Sequence, residues 1–182
     1  MQPHIFSIGH SSQPLDRFLD LLAQHRIEAL VDIRRFPGSR KYPHWNHENL
    51  AASLQEAGID YHWIEALGGR RRSKKPASAS PNQGLRNESF RSYADYMLTE
   101  EFRQAIGELL EIAAHKRTTV MCAEAVYWRC HRRLVSDYLL ANNVTVQHIF
   151  PNGEVRPHKL TEEAKVEQGK VTYPLSVTGC TD

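Results

Sequence analysis

Cys122, Glu124, Cys130 and His131 fall within the stretch TTVMCAEAVYWRCHRRLVSDYLL, residues 118–140, together with Arg129, Arg132 and Arg133. Two thiols, a carboxylate, an imidazole and three guanidiniums are the materials for thiol chemistry, acid–base catalysis or anion binding. Val120 and Met121 read as part of a buried strand, and Leu134, Val135, Tyr138 and Leu139 then recur at helical spacing. The reactive residues are thereby placed between the carboxyl end of a strand and the amino end of a helix. Ligands of open α/β sheets bind at such junctions. The free N–H groups and positive dipole end of the helix favour a thiolate or a bound anion.

Each of these residues has a chemical reading and a packing reading. Cys130 precedes His131, Arg132 and Arg133, cationic neighbours that raise its thiolate fraction, so it is a candidate nucleophile. The alternative is a cysteine packed beneath the helix cap. Cys122, at the strand end, reads as a small core residue. A cysteine-phosphatase loop is excluded: six residues separate Cys122 from Arg129, one too many, and Val126, Tyr127 and Trp128 occupy positions where such a loop wraps phosphate with backbone N–H groups. Zinc needs four ligands. Cys122, Cys130 and His131 supply three, with His10 or His44 as a guess for the fourth, so no cofactor is called for and metal stays open.

Glu124, just past a buried strand and near arginines, suits a base, acid or nucleophile. Asp32 stands at the equivalent place on the second strand and is its natural partner, unless each carboxylate simply pairs with an arginine. Arg34, Arg35, Ser39 and Arg40 surround Pro37 and Gly38, and arginine forks suit phosphate or carboxylate. Gly68 and Gly69 let backbone approach a ligand or make a turn. Tyr42, Trp45, Tyr127 and Trp128 stack on bases or close the core.

The elements that must position these groups follow from the patterning of the 182 residues. His4–Ile8, Ala29–Ile33, Tyr61–Ile64, the strand before Cys122 and Val144–Phe150 read as strands. Helices lie between them. One is capped by Ser12 with Pro14 in its first turn. A short one, capped by Asn46, carries Leu50 and Leu54 and stops at Gly58. Two more follow, the first with Phe90, Tyr93, Ala94 and Met97, the second capped by Thr99. Pro151-Asn152-Gly153 turns the chain into a small hairpin, and beyond Thr161 the sequence is polar and poorly patterned. Alternating strands and helices make this an α/β fold: one three-layer domain with a mainly parallel sheet and helices on both faces, residues 1–150, and a hairpin and polar tail, 151–182, appended to it. The strand ends then gather Ile8-Gly9-His10, Asp32 to Ser39, Leu67-Gly68-Gly69 and Cys122 to Arg132 on one edge.

No apolar run reaches membrane-span length, and the amino terminus lacks the pattern of a signal peptide. Three cysteines without a Cys-x-x-Cys pair argue against a disulfide framework. A cytoplasmic protein with reduced thiols is expected. The net charge of +2 is unevenly spread: residues 34–91 hold 11 Lys and Arg against 5 Asp and Glu, densest at Arg70-Arg71-Arg72-Ser73-Lys74-Lys75. Residues 70–89 read as a solvated or disordered loop, or as a basic lid meeting phosphate or nucleic acid.

The segments IFSIGHSS, LVDIRRFPGSRKYPHW, GIDYHWIEALGGRR, FRSYADYM and VMCAEAVYWRCHRRL, in this order, resemble the family known as domain of unknown function 488. The resemblance runs from about Ile5 to Phe150. It implies a compact α/β domain of soluble, mostly microbial proteins. Its motifs fall on His10, Asp32, Arg34, Pro37, Ser39, Gly68, Gly69, Cys122, Glu124, Cys130, His131 and Arg132, and it brings a site without a reaction.

Three functions remain. The first is an enzyme acting on a phosphate-bearing substrate, a nucleotide or nucleic acid, for example by N-glycosidic cleavage. There Arg34, Arg35 and Arg132 hold phosphate and Glu124, with Asp32, does the chemistry. The second is sulfur transfer or redox chemistry on Cys130. The third is a module that binds nucleic acid or metal without turnover.

Overall fold

The computed structural model describes residues 2–176. Strands β1 (His4–Gly9), β2 (Ala29–Asp32), β3 (Asp60–Trp63), β4 (Thr118–Cys122) and β5 (Thr145–Ile149) run parallel, and β6 (Val155–Pro157) returns antiparallel to β5. The sheet order is β3-β2-β4-β1-β5-β6. Side chains alternate along each strand. Phe6, Ile8, Leu30, Met121 and Ile149 therefore face α1 (Leu15–Gln24) and α2 (His47–Glu56). Ile5, Val31, Val120, Cys122 and Val146 face α3 (Glu88–Tyr96), α4 (Glu100–His115) and α5 (Arg132–Ala141). Both faces are covered, which is why the inner strands read as near-continuous apolar runs. The three-layer α/β arrangement is as the sequence implies.

The crossover after β1 leads one way, to β2, and the crossover after β4 leads the other way, to β5. The chain therefore diverges between the carboxyl ends of the adjacent strands β1 and β4, a topological switch point where α/β sheets open a ligand crevice.

Several local expectations need adjusting. Thr99 and Asn87 cap α4 and α3 through side-chain oxygens that accept from Phe102 N–H (3.3 Å) and Phe90 N–H (3.1 Å). Ser12 does not cap α1, whose N-cap is Pro14. Asn46 stands before α2 but spends its side-chain oxygen on the Ser39 N–H. The segment 70–89 is ordered. Its Ser73, Ser80 and Asn82 side chains all donate to the Asp95 carboxylate on α3, Asn82 also accepts from the Tyr173 N–H, and Leu85 is buried. The region after Thr161, unpatterned in sequence, holds a two-stranded sheet of β7 (Lys165–Glu167) and β8 (Lys170–Thr172) that buries Val171 and, just beyond it, Tyr173. Among the described residues, no helix is long and apolar enough to cross a membrane.

Candidate functional site

Parallel register brings the ends of the central strands level: Gly9 lies beside Cys122, and Asp32 beside Met121. The loop leaving β4 is clamped over the end of β1 by the His10 N–H to Cys122 O (2.9 Å) and the Ser11 N–H to Ala123 O (2.8 Å). Only glycine fits at the crossing, because a Cβ on Gly9 would stand 1.6 Å from Glu124 O. The loop closes with a 3-10 turn, Tyr127–Arg129, which delivers Cys130 to the amino end of α5.

Cys130 and Cys122 meet there, Sγ to Sγ, at 2.7 Å, both as free thiols. The Arg132 N–H approaches Cys130 Sγ at 3.4 Å, and Arg132 Nε donates to Cys122 Sγ at 3.1 Å. His131 Nδ1 lies 3.4 Å from Cys130 Sγ, while Nε2 is 2.8 Å from Ile33 O. A carbonyl only accepts, so His131 carries its proton on Nε2 and turns an unprotonated Nδ1 toward the thiol. Burial lowers the imidazole further, so this base is neutral near pH 7.

The two thiols are driven apart. Burial pushes Cys122 up, and its hydrogen bond to Cys130 adds to this. Burial opposes ionisation of Cys130 as well. The hydrogen bond from Cys122, the Arg132 charge and the Arg132 backbone N–H outweigh it, and Cys130 ends below the ordinary thiol value. Of the two thiols, Cys130 is therefore the one that ionises more readily.

Arg132 is the charge that acts on both sulfurs. Its side chain is 1% exposed, and it donates to Cys122 Sγ, to Ser7 Oγ (2.8 Å) and to Glu124 O (2.9 Å). Among the described residues, no carboxylate lies within ion-pair distance of it. A buried cation without a counter-charge is costly, and the two sulfurs are the ionisable groups it touches. Ser7 was not singled out from the sequence; the one signal was a hydroxyl in the middle of the apolar run IFSIG.

Above the thiols opens a cleft of about 500 Å³. Its lining takes in His10, Arg34, Arg35, Ser39, Gly69, Cys122, Glu124, Cys130 and His131, so nine of the residues expected from sequence converge. Gly68 lies behind the wall, where a Cβ would meet the Arg35 backbone, and a Cβ on Gly69 would press on the His131 ring at 3.0 Å. Both glycines serve close packing. The expected phosphate-holding arginines divide. Arg132 faces inward to the thiols, Arg34 is tied to the protein, and Arg35, half-buried, bonds Arg70 O and pairs with Glu65 at 3.4 Å. Arg70 and Arg129, both exposed, complete the basic lining.

Asp32 and Arg34 form a buried ion pair, with Arg34 Nη2 on Asp32 Oδ2 at 2.6 Å and Nε on Oδ1 at 2.9 Å. The Tyr61 hydroxyl donates to the same carboxylate at 2.6 Å, and Arg34 Nη1 reaches Trp45 O. With its oxygens so occupied, Asp32 is a brace for the cleft floor. Glu124 is exposed, and among the described residues only its backbone oxygen is engaged, by Arg132 and Cys122. Ser39 Oγ accepts from the Tyr42 N–H, which shapes the loop around Pro37. Among the described residues, no group of three or more His, Cys, Asp or Glu side chains is placed to hold a metal ion. His131, counted from the sequence among the three ligands that zinc would have available, is turned to Ile33 O and the thiol.

His10 stacks on Trp45 with ring centroids 4.4 Å apart, and burial lowers its imidazole to about 4. His131 and His148 are lowered too, His148 to about 2. The unfolded chain takes up protons at these rings below about pH 6.5 while the fold does not. Their stabilisation is complete above that pH and is lost as the pH falls toward 4. The urea midpoint should therefore drop steadily across that interval, and a flat profile would show these rings to be solvated.

The model of the family described as Domain of unknown function DUF488 matches residues 14–139, more than half of the chain. No curated protein and no solved structure gives a significant match. The chain belongs to the DUF488 family.

Proposed function

We propose that the protein is a dithiol enzyme in which Cys130 is the nucleophile and Cys122 the resolving thiol, acting on a sulfur electrophile carried by an anionic, phosphate-bearing molecule. The observation that carries this reading is the 2.7 Å contact of the two thiols beside a buried arginine that lacks a carboxylate partner among the described residues. The Cys130 thiolate attacks one sulfur of a disulfide R–S–S–R′, forming Cys130–S–S–R and expelling R′S⁻. The adduct no longer carries charge, so the Arg132 cation then favours the Cys122 thiolate, whose proton passes to the departing thiolate or to water. Cys122 attacks Cys130 Sγ, the internal disulfide forms, and RS⁻ leaves. A low-molecular-weight thiol reduces the pair for the next cycle. Arg35, Arg70 and Arg129 at the cleft supply the charge that recruits an anion. A reducing compartment, the cytoplasm, suits this cycle.

A second reading, acid–base chemistry by Glu124 on a phosphate-bearing nucleotide or nucleic acid, draws on the exposed carboxylate in the cleft wall. It also draws on the adjoining hollow of about 390 Å³ that Arg70, Arg72 and Lys75 line.

The anionic aromatic disulfide 5,5′-dithiobis(2-nitrobenzoate) separates the two, in a chain carrying Cys180→Ser so that only the paired thiols respond. The parent should release two thiolates and end as the internal disulfide without added mass. Cys122→Ser should release one and keep the adduct on Cys130. Glu124→Gln should behave as the parent. A parent that retains a stable adduct would remove Cys122 from its resolving role. A parent and Cys122→Ser that both leave the reagent intact would end the dithiol reading.

A further inference from the structure

Beneath the thiols a line of buried side chains runs from β1 across the sheet to the C-terminal segment. Ser7 Oγ lies 2.8 Å from His148 Nδ1 on β5, His148 Nε2 2.8 Å from His158 Nδ1, and His158 Nε2 2.7 Å from Asp137 Oδ1 on α5. Asp137 also accepts from the Thr161 N–H at 3.0 Å and the Tyr173 hydroxyl at 2.7 Å. Ser7, His148 and Asp137 are at most 1% exposed and His158 is 6% exposed. Tyr127, from the turn that leads into Cys130, lies flat on His148, with ring centroids 3.7 Å apart and planes 3° apart.

One assignment of protons satisfies the whole line with both rings neutral. The Thr161 N–H can only donate, so Asp137 Oδ1 accepts, and His158 gives it the Nε2 proton. His158 Nδ1 is then an acceptor and takes the His148 Nε2 proton. His148 Nδ1 takes the Ser7 hydroxyl proton, and Ser7 Oγ is left to accept from Arg132 Nη1. Every hydrogen bond points the same way, from the guanidinium to the carboxylate, and aligned bonds of this kind polarise and strengthen one another in a dry interior.

Serine, histidine and aspartate in a row suggest a hydrolase, but Ser7 is fully enclosed and offers its oxygen to Arg132. The line therefore acts on the protein itself. We infer that Ser7, His148, His158 and Asp137 form a positioning relay that holds the Arg132 guanidinium against the thiol pair and so keeps Cys130 reactive. This rests on the dithiol reading and adds to it four residues that never touch substrate. It also gives the C-terminal segment a task, because His158, Thr161 and Tyr173 anchor the far end.

Ser7→Ala removes the acceptor of Arg132 Nη1 and the donor to His148 Nδ1 while leaving both thiols in place. In the Cys180→Ser chain, with thermal unfolding confirming the fold, the rate of Cys130 alkylation by iodoacetamide is followed from pH 5 to 10. Losing a charge-assisted hydrogen bond should slow Ser7→Ala about tenfold at pH 7 and move its pH midpoint upward. Ser7→Thr, which restores the hydroxyl, should return toward the parent profile. A folded Ser7→Ala with the parent profile would overturn the relay. An ordinary thiol profile in the parent would instead overturn the dithiol reading. If Ser7→Ala fails to fold, ¹⁵N shifts of the parent histidines decide: both His148 and His158 should carry the proton on Nε2, and a proton on Nδ1 of either contradicts the assigned direction.

Discussion

Replacing Arg132 by methionine should slow the reaction of Cys130 with neutral iodoacetamide by about tenfold or more at pH 7. Methionine is unbranched and apolar, so it fills much of the arginine's space and removes the charge together with all its side-chain donors. The Cys130 thiolate then loses the cation that offsets its burial, and Cys122 loses the Nε donor. Each unit by which the thiol pKa rises takes about tenfold from the thiolate present below it. The more basic thiolate is intrinsically a better nucleophile, which returns roughly threefold. The observed rate therefore falls by less than the thiolate population, and the pH midpoint reports the cause more directly than the rate does. Arg132→Lys keeps a charge but loses the fork that reaches Cys122 Sγ, Ser7 Oγ and Glu124 O together, and should lie between the two. A methionine variant as reactive as the parent would mean that Arg132 is there for packing alone.

Asp32→Asn should cost about 3–5 kcal/mol of stability, because it strands the Arg34 guanidinium in the interior without its counter-charge. Asp32 is fully buried and Arg34 is 8% exposed, so water cannot replace the lost partner. An asparagine with its oxygen in place of Oδ2 still accepts from the Tyr61 hydroxyl and Arg34 Nη2, but its NH2 group then faces the Arg34 Nε and backbone N–H donors that Oδ1 had accepted. For a chain of this length the loss corresponds to a fall in Tm on the order of 10 °C. The pair of Arg156 and Glu154 supplies the control. Both partners are exposed, and Glu154→Gln should change stability by less than about 1 kcal/mol. Equal effects from the two substitutions would show that Asp32 does not brace the cleft.

How far the sequence went depended on whether the relevant signal was local. The alternation of apolar strands and amphipathic helices is local, and it was enough to read a parallel sheet and to expect His10, Arg34, Arg35, Ser39, Gly69, Cys122, Glu124, Cys130 and His131 at one edge. The 2.7 Å meeting of Cys122 and Cys130 was not legible. It depends on the 3-10 turn folding Tyr127–Arg129 back over β1, and the side-chain pattern of that turn does not specify its geometry. Arg132 was read as a phosphate holder because of its charge. Its position carried a better clue, since 132, 135 and 139 share the buried stripe of α5 with Val135 and Leu139. An arginine on that stripe points inward.

The relay from Ser7 to Asp137 joins residues more than a hundred positions apart, and no periodicity links β1 to β5 without the strand order. The segment 70–89 looked structureless for the same reason. What fixes it is Asp95, a polar residue on a helix that follows it in the chain.

The central claim is that Cys130 is a thiolate made reactive by its surroundings, and the pH dependence of its alkylation in the otherwise native Cys180→Ser chain tests that claim most directly. Iodoacetamide modification, located by mass spectrometry, should fall first on Cys130 and should reach its half-maximal rate at a pH clearly below the value of about 8.5 typical of a free cysteine. Preferential modification of Cys122, or a midpoint at or above the free-cysteine value, would contradict it.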